Sequence, residues 1–362
     1  MRILITAPSL DETVNVSGIS TVVRQIIENG THRYEHFTAG RTDGEPANAS
    51  WIAKQIRLPF HFYRRLKNGK FAVAHINTAL NPLSIARDYA FVKAAKFART
   101  PILLHVHGGK FLAREFENKT LARLAEKMLD AANAILVLSE LEKEIVEKRW
   151  QKLKSKAKVK VLENAVAIDE TNEIKRSGEK KTIIFLGRFH ESKGLHEIVE
   201  SCRSLKNENL QFRFKAFGAG DLQNFFVGEM TKILGDDFYF GGVIAGKEKQ
   251  KELAASDVFL LPSRYGEGLP MAMLEAMAAK CVVVASKMAS IGAVVENNVN
   301  GLTVEPQNVA QIIEKLKLIL SGEIDAKMIG ENARRTIAEK YNLPGYIVKL
   351  EKIYAEIGRE NY

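Results

Sequence analysis

The stretch Asp257-Val-Phe-Leu-Leu-Pro-Ser-Arg-Tyr-Gly-Glu-Gly-Leu-Pro-Met-Ala-Met-Leu-Glu-Ala-Met-Ala-Ala-Lys-Cys-Val-Val-Val-Ala-Ser286 decides how this chain folds. Positions 258–261 are a short apolar run, the pattern of a buried strand. Residues 263–268 make a loop with two glycines. Pro270 suits the first position of a helix, where a missing N–H is harmless. Residues 271–279 are apolar nearly all round, so that helix is buried, and 282–285 is the next strand. A single carboxylate, Glu275, sits in the helix. An unpaired buried carboxylate is expensive, so Glu275 needs a partner: an Arg or Lys in a structural ion pair, or a ligand diol gripped by both oxygens. The loop supports a ligand. Gly266 and Gly268 let backbone N–H groups approach an anion at the positive end of the helix. A second carboxylate, Glu267, lies in the loop with seven residues between it and Glu275.

Glu267 and Glu275, with Gly268-Leu269-Pro270 after the first and Ala-Met-Ala after the second, resemble the Glu-x7-Glu signature of retaining glycosyltransferases of family 4. That family has the GT-B fold, an α/β architecture of two doubly wound, Rossmann-like domains facing across a cleft. The resemblance implies that Glu275 holds the nucleotide ribose, that Glu267 meets the donor sugar, and that the turn 268–270 lies at the donor. A second signature is Gly187-Arg188-Phe-His-Glu-Ser-Lys193-Gly194, between the strand-like run 182–186 and an apolar-periodic helix. A departing nucleoside diphosphate gains negative charge as the sugar bond breaks. Arg188 can fork two phosphate oxygens and Lys193 adds a point charge, the work Mg²⁺ does in other transferases. The bland alternative is two surface cations in ion pairs. The chain has no Asp-x-Asp, and neither a metal nor another cofactor is expected.

Residues 2–7 read as a first strand. A loop ending Asn15-Val16-Ser17-Gly18 and a helix through 27 follow, a doubly wound opening. The resemblance implies a glycine pair here that reaches the donor phosphates. Only Gly18 is glycine, with Ser17 in place of its neighbour, and a plain turn glycine is the alternative. Strand 102–106 runs into His107, at the kind of strand end where open α/β sheets bind ligands. His105 and His107 share a face, a metal-ligand spacing rejected for want of a third ligand. The resemblance sets His107 against the donor sugar and the backbone at 241–243, with Val243, against the base. The alternative for both histidines is a satisfied core position. Gly241 to Glu248 nearly matches a P-loop, but Glu248 stands where Ser or Thr must hold Mg²⁺. Gly218-Ala-Gly220 lacks the third glycine of a dinucleotide fingerprint.

Further strands are expected at 72–76, 134–138, 159–164, 212–217 and 238–240. Helices are expected at 81–97, 115–131, 309–320 and 326–340, then at 346–357 after Pro344 interrupts. Ser139 reads as a helix cap. Asn164-Ala165 stands where the family has Asn-Gly. The polar segment 169–181 reads as a linker. It divides an acceptor-side domain, 1–170 joined by 346–362, from a nucleotide-sugar domain, 171–345.

The net charge of +10 is uneven. Residues 1–170 hold 27 Lys and Arg against 18 Asp and Glu, the remainder 26 against 25. From 46 to 114 there are twelve basic residues and one acid, Asp88, which points to an anionic partner. In 51–71, Trp51, Phe60 and Phe62 interleave with Arg57, Arg64, Arg65 and Lys67, and Pro59 is expected to split the segment in two. Either the aromatics fill the core of a solvated basic helix, or this surface meets an anionic membrane or acceptor. Two cysteines make no disulfide framework and suggest a reducing compartment. No apolar run reaches the roughly 18 residues of a membrane span, and the first strand begins with no secretion signal. The expected location is the cytoplasm, with any membrane contact peripheral. No nucleic-acid motif occurs.

The expectation is a metal-independent retaining hexosyltransferase. It would move a sugar from a UDP- or GDP-sugar to a glycan or lipid-linked acceptor in cell-envelope polysaccharide, lipopolysaccharide or glycolipid synthesis. A nucleotide-sugar epimerase of the same fold and a non-catalytic GT-B partner subunit are the alternatives.

Overall fold

A computed structural model describes residues 1–359 apart from 13, 16, 41, 43, 44, 46, 47, 109–111, 113–115, 117, 151–157, 169–175, 177, 179 and 289, and apart from the side chains of 49, 50 and 359. Most of the 169–181 segment read as a linker lies outside the described residues. The chain forms two compact units, Met1–Asn164 with Leu343–Tyr362, and Ala165–Asn342.

The N-terminal unit begins β1 (Arg2–Ala7), α1 (Gly18–Asn29), β2 (Arg33–Thr38), α2 (Ala49–Gly69), β3 (Val73–Thr78), α3 (Pro82–Phe97) and β4 (Ile102–Val106). It continues with α4 (Lys119–Asp130), β5 (Ala134–Val137), α5 (Glu140–Arg149) and β6 (Lys158–Val161). The strands are parallel in the order β2-β1-β3-β4-β5-β6, so the chain reverses its direction of growth between β1 and β3. Asparagine and serine set the helix starts. Ser17, Asn48, Asn118 and Ser139 each accept from a first-turn amide, and Asn81 with Ser84 makes a reciprocal box.

The C-terminal unit runs β7 (Lys181–Leu186), α6 (Leu195–Asn207), β8 (Phe212–Phe217), α7 (Gln223–Leu234), β9 (Phe238–Phe240), α8 (Gly246–Ala254) and β10 (Val258–Leu261). It ends with α9 (Met271–Ala278), β11 (Val282–Ser286), α10 (Ile291–Val294), β12 (Leu302–Val304), α11 (Val309–Ser321) and α12 (Ala326–Lys340). Its parallel order is β12-β11-β10-β7-β8-β9, the dinucleotide-fold arrangement with its switch point between β7 and β10. The last helix, α13 (Leu343–Arg359), belongs to the N-terminal unit, where Tyr354 is fully buried and bonds His75 at 2.6 Å.

Several local expectations are corrected. Pro59 does not split its segment; α2 runs through it. The lost hydrogen bond and ring clash, about 3 kcal/mol in a helix interior, are offset by aromatic packing. The Phe62 ring lies 4.8 Å from Phe91 and 5.0 Å from Phe37. Pro344 opens α13 rather than preceding it, since the first turn needs no N–H. Pro270 is the cap residue of α9, extended at φ −67°, ψ 124°, rather than its first helical residue. Asn164 and Ala165 take no positive φ, so that turn needs no glycine. Strand β2 gave no sequence signal; it is a half-exposed edge strand of mostly polar residues.

Candidate functional site

The switch point of the C-terminal unit gathers both signatures. The first follows β7. Phe189 is fully buried, 5.4 Å from the Phe226 ring and 5.7 Å from Phe185 and Phe240. It pins the turn down while its neighbour Arg188 keeps part of its side chain open to solvent. His190 caps a short 3₁₀ turn, Glu191–Lys193, which closes on Gly194 at φ +72°. A side chain there is excluded twice over: by the left-handed backbone, and because a Cβ would lie 2.0 Å from the Pro262 carbonyl oxygen. Gly218 has a similar task. At φ +135° its Cβ would meet the Gly187 carbonyl at 1.9 Å, so the loops after β7 and β8 pack backbone to backbone. That contact gives the weak Gly-Ala-Gly pattern its purpose.

The second signature follows β10 and is bound to the first. The Arg264 amide donates to the Ser192 carbonyl at 2.8 Å. Its guanidinium reaches Glu197 at 2.6 Å and Glu191 at 3.0 Å. Glu267 is thereby brought to Lys193, whose ammonium donates to Oε1; the buried Ser263 hydroxyl donates to the same oxygen at 2.6 Å. Gly268, Leu269 and Pro270 lead into α9, which has no side-chain cap, so its first-turn amides remain available to an anion.

Glu275 is gripped on one side only. Lys249 of α8 donates to its Oε1 at 2.7 Å, while Oε2 is buried with no hydrogen-bond partner among the described residues. The structural ion pair and an open carboxylate oxygen therefore coexist. Lys249 was not foreseen: Lys247 and Lys251 share its short helix, and nothing local distinguishes it from them. Val243 lies in the loop after β9 with about half of its side chain open, 51%.

Gly18 and His107 belong to the other unit: Gly18 follows β1, at that sheet's reversal, and His107 follows β4, the strand beyond β3. Gly18 is the exposed first residue of α1; the Ser17 hydroxyl accepts from the Ser20 amide at 3.1 Å and so caps that helix. Serine here spends its side chain on the first-turn donors a glycine would leave open. His107 follows β4, and its Nε2 lies 2.6 Å from Asn77 Oδ1. The Asn77 amide nitrogen donates to the Thr6 carbonyl at 2.8 Å, which leaves Oδ1 as the acceptor and makes His107 Nε2 the donor. His107 Nδ1 then carries a lone pair. Asn77 was also missed by sequence reasoning; it lies just past the run read as a strand at 72–76, and β3 in fact extends through it.

The histidines form a column. The His105 and His107 rings are 4.0 Å apart and those of His75 and His105 5.5 Å. Burial pushes His75 and His107 down to about 3 and His105 well below the usual imidazole value. His105 is fully buried and belongs to the core. Of the basic residues of α2, Arg57, Arg64 and Lys67 are exposed, while Arg65 is paired with Glu35 of β2. Trp51 is half-buried, Phe62 fully buried and Phe60 exposed.

This geometry has relatives. Residues 167–336 match the family model Glycosyl transferases group 1. The match lies within the C-terminal unit and takes in both signatures. The chain is 34% identical over 170 residues to the amylovoran biosynthesis glycosyltransferase AmsK of Erwinia amylovora, covering 44% of this chain and 41% of the relative. It thus spans less than half the length of that relative. Sucrose-phosphate synthase from Thermosynechococcus elongatus superposes with a TM-score of 0.79 at 17% identity, covering 98% of both chains. HepE of Anabaena, solved with UDP-glucose, superposes with a TM-score of 0.75 at 17% identity over 98% of this chain and 100% of that one. The fold is GT-B. Within GT-B, the two parallel six-stranded sheets supply one reversal each, and the matched unit holds Arg188, Lys193 and both glutamates.

Proposed function

We propose that the chain is a retaining glycosyltransferase that moves a sugar from a nucleotide-diphosphate sugar to a glycan or lipid-linked acceptor in cell-envelope polysaccharide or glycolipid synthesis. The observation that carries the reading is the convergence at the β7–β10 switch point. Arg188 and Lys193 come from one loop, Glu267 and an uncapped helix start from the next, and Glu275 offers one unpaired oxygen. The solved neighbour that holds UDP-glucose and the relative named for amylovoran biosynthesis support a UDP-sugar donor and a polysaccharide product.

In this reading the diphosphate lies against the α9 amides, Arg188 and Lys193. Glu275 Oε2 accepts from the ribose hydroxyls, held in place by Lys249 on its other oxygen. Lys193 turns from Glu267 toward the phosphates, and Glu267, still held by Ser263, accepts from sugar hydroxyls. His107, in the other unit, is neutral and presents an Nδ1 lone pair able to accept from a hydroxyl. As the bond from the anomeric carbon to the phosphate oxygen breaks, charge builds on that oxygen, and the two cations stabilise it without a metal. The acceptor oxygen bonds the same face of the anomeric carbon, and its proton passes to the departing phosphate oxygen. No side chain is assigned as a nucleophile.

The test is a panel of UDP-, GDP- and ADP-sugars assayed for slow donor hydrolysis, with and without EDTA. One donor class should be hydrolysed, equally in both conditions. Loss of hydrolysis in EDTA with recovery in Mg²⁺ or Mn²⁺ would overturn the metal-independent part. Free epimerised sugar in place of hydrolysis would replace transfer by epimerisation.

A further inference from the structure

We propose that α2 is an interfacial helix that docks the N-terminal unit on an anionic lipid bilayer through Ile52, Ile56 and Phe60, flanked by Arg57, Arg64 and Lys67. The three apolar residues recur every four positions and so form one row on the helix. They are 50%, 74% and 59% exposed, whereas Phe62 and Leu66 on the other side are buried. Single exposed apolar side chains are ordinary; a row along two turns is not. On the helix circumference the row passes directly into Lys67, Arg64 and Arg57, all exposed. The Arg64 guanidinium lies 5.7 Å from the centre of the Phe60 ring, so the cation and the apolar row share one surface.

The electrostatic setting points the same way. From 46 to 114 the one acid is Asp88, which is fully buried and paired with Arg87 at 2.7 Å. The exposed cations of α2 therefore have no acid within this segment to neutralise them, and among the described residues Arg65 alone of the four named is tied to an acid outside it, Glu35.

A bilayer uses both halves of this surface. Apolar side chains enter the boundary between headgroups and acyl chains, and the cations meet anionic headgroups. A soluble polyanion would engage the cations and leave Ile52, Ile56 and Phe60 in water. A second copy of the chain docked through the same row would set cations against cations. No described helix is long and apolar enough to cross a membrane, so the contact is a docking on the surface. The proposal does not depend on the transferase reading, because it is tested without donor or acceptor.

The experiment is co-sedimentation of the full chain with vesicles of phosphatidylcholine alone or with a share of phosphatidylglycerol, from low to high salt. The wild type should bind the anionic vesicles and not the neutral ones, and should keep residual binding when salt has shortened the Debye length. Ile56→Ser/Phe60→Ser should lose that residual binding and bind about tenfold more weakly at every salt. Arg57→Glu/Arg64→Glu should bind at least about 25-fold more weakly at low salt, from about fivefold per cation. A second readout uses Phe60→Trp, whose added indole emission should shift to the blue on anionic vesicles alone. Negligible wild-type binding, or equal binding to both lipids, would overturn the proposal. So would wild-type-like binding by the serine pair or an unshifted emission from the Phe60→Trp variant, which would leave a soluble polyanion as the partner of the cations. Concentration-dependent self-association that the serine pair abolishes, without vesicle binding, would overturn it too and assign the row to a second copy.

Discussion

Lowering the pH from 7.5 to 5.0 should unfold the N-terminal unit preferentially, because its sheet buries a column of neutral histidines. His75 and His107 are held down to about 3 and His105 well below the usual value, in each case chiefly by burial. His32 and His36 are shifted the same way. In the unfolded chain all of them titrate near pH 6.5. Below that value the unfolded state binds more protons than the native one, so stability falls as pH falls; well above it these groups contribute no slope. Once the native value lies a unit or more under the working pH, the penalty depends only on the unfolded value. At pH 5.0 it is about 2 kcal/mol per histidine, or about 6 kcal/mol for the column of three. That is comparable with the whole stability of many domains.

Both tryptophans, Trp51 and Trp150, lie in this unit, so urea titrations followed by tryptophan fluorescence report on it. The wild-type unfolding free energy should drop by about 6 kcal/mol or more between pH 7.5 and 5.0. His105→Leu removes a group whose two ring nitrogens are both buried without hydrogen-bond partners among the described residues. It should recover about 2 kcal/mol of that difference. A urea midpoint that is flat across this range, or the same drop in the variant as in the wild type, would refute the reasoning.

Other outcomes follow from single contacts. Glu275→Gln should weaken nucleotide binding about tenfold or more, from lost charge-assisted bonds of roughly 1.5–3 kcal/mol. It also strands Lys249, so Lys249→Met/Glu275→Gln should regain thermal stability without regaining affinity; calorimetry and nucleotide titration separate the two. Gly194→Ala should destabilise the C-terminal unit by about 2–4 kcal/mol, seen by calorimetry, because the left-handed turn and the Pro262 carbonyl both exclude a Cβ. Asn77→Asp should set a carboxylate beside His107 and raise its pKa. The expected result is a new loss of transfer on the acid side, where the wild-type rate stays flat until the unit unfolds.

The elements themselves were largely legible in the amino-acid sequence. The apolar runs at 102–106 and 258–261 are strands with those bounds, because a strand buried on both faces must be apolar along its whole length; 212–217 and 238–240 are strands with those bounds too, legible from their aromatic residues. Side-chain caps such as Ser139 and the glycine-bracketed turns were equally local, since a cap or a left-handed turn depends on a few neighbouring residues. Strand β2 escaped because an edge strand with one open side carries little apolar signal. Helix α2 runs through Pro59, and Phe62, three residues on, is anchored by Phe37 and Phe91, which are distant in sequence. The partners within the site were hidden for the same reason. Lys249 meets Glu275, Lys193 meets Glu267 and Asn77 meets His107 across separations of 26, 74 and 30 residues. Nothing in a residue's own neighbourhood encodes such a pairing. It is set by the order β12-β11-β10-β7-β8-β9 in one unit and β2-β1-β3-β4-β5-β6 in the other, which decides which strand ends are neighbours.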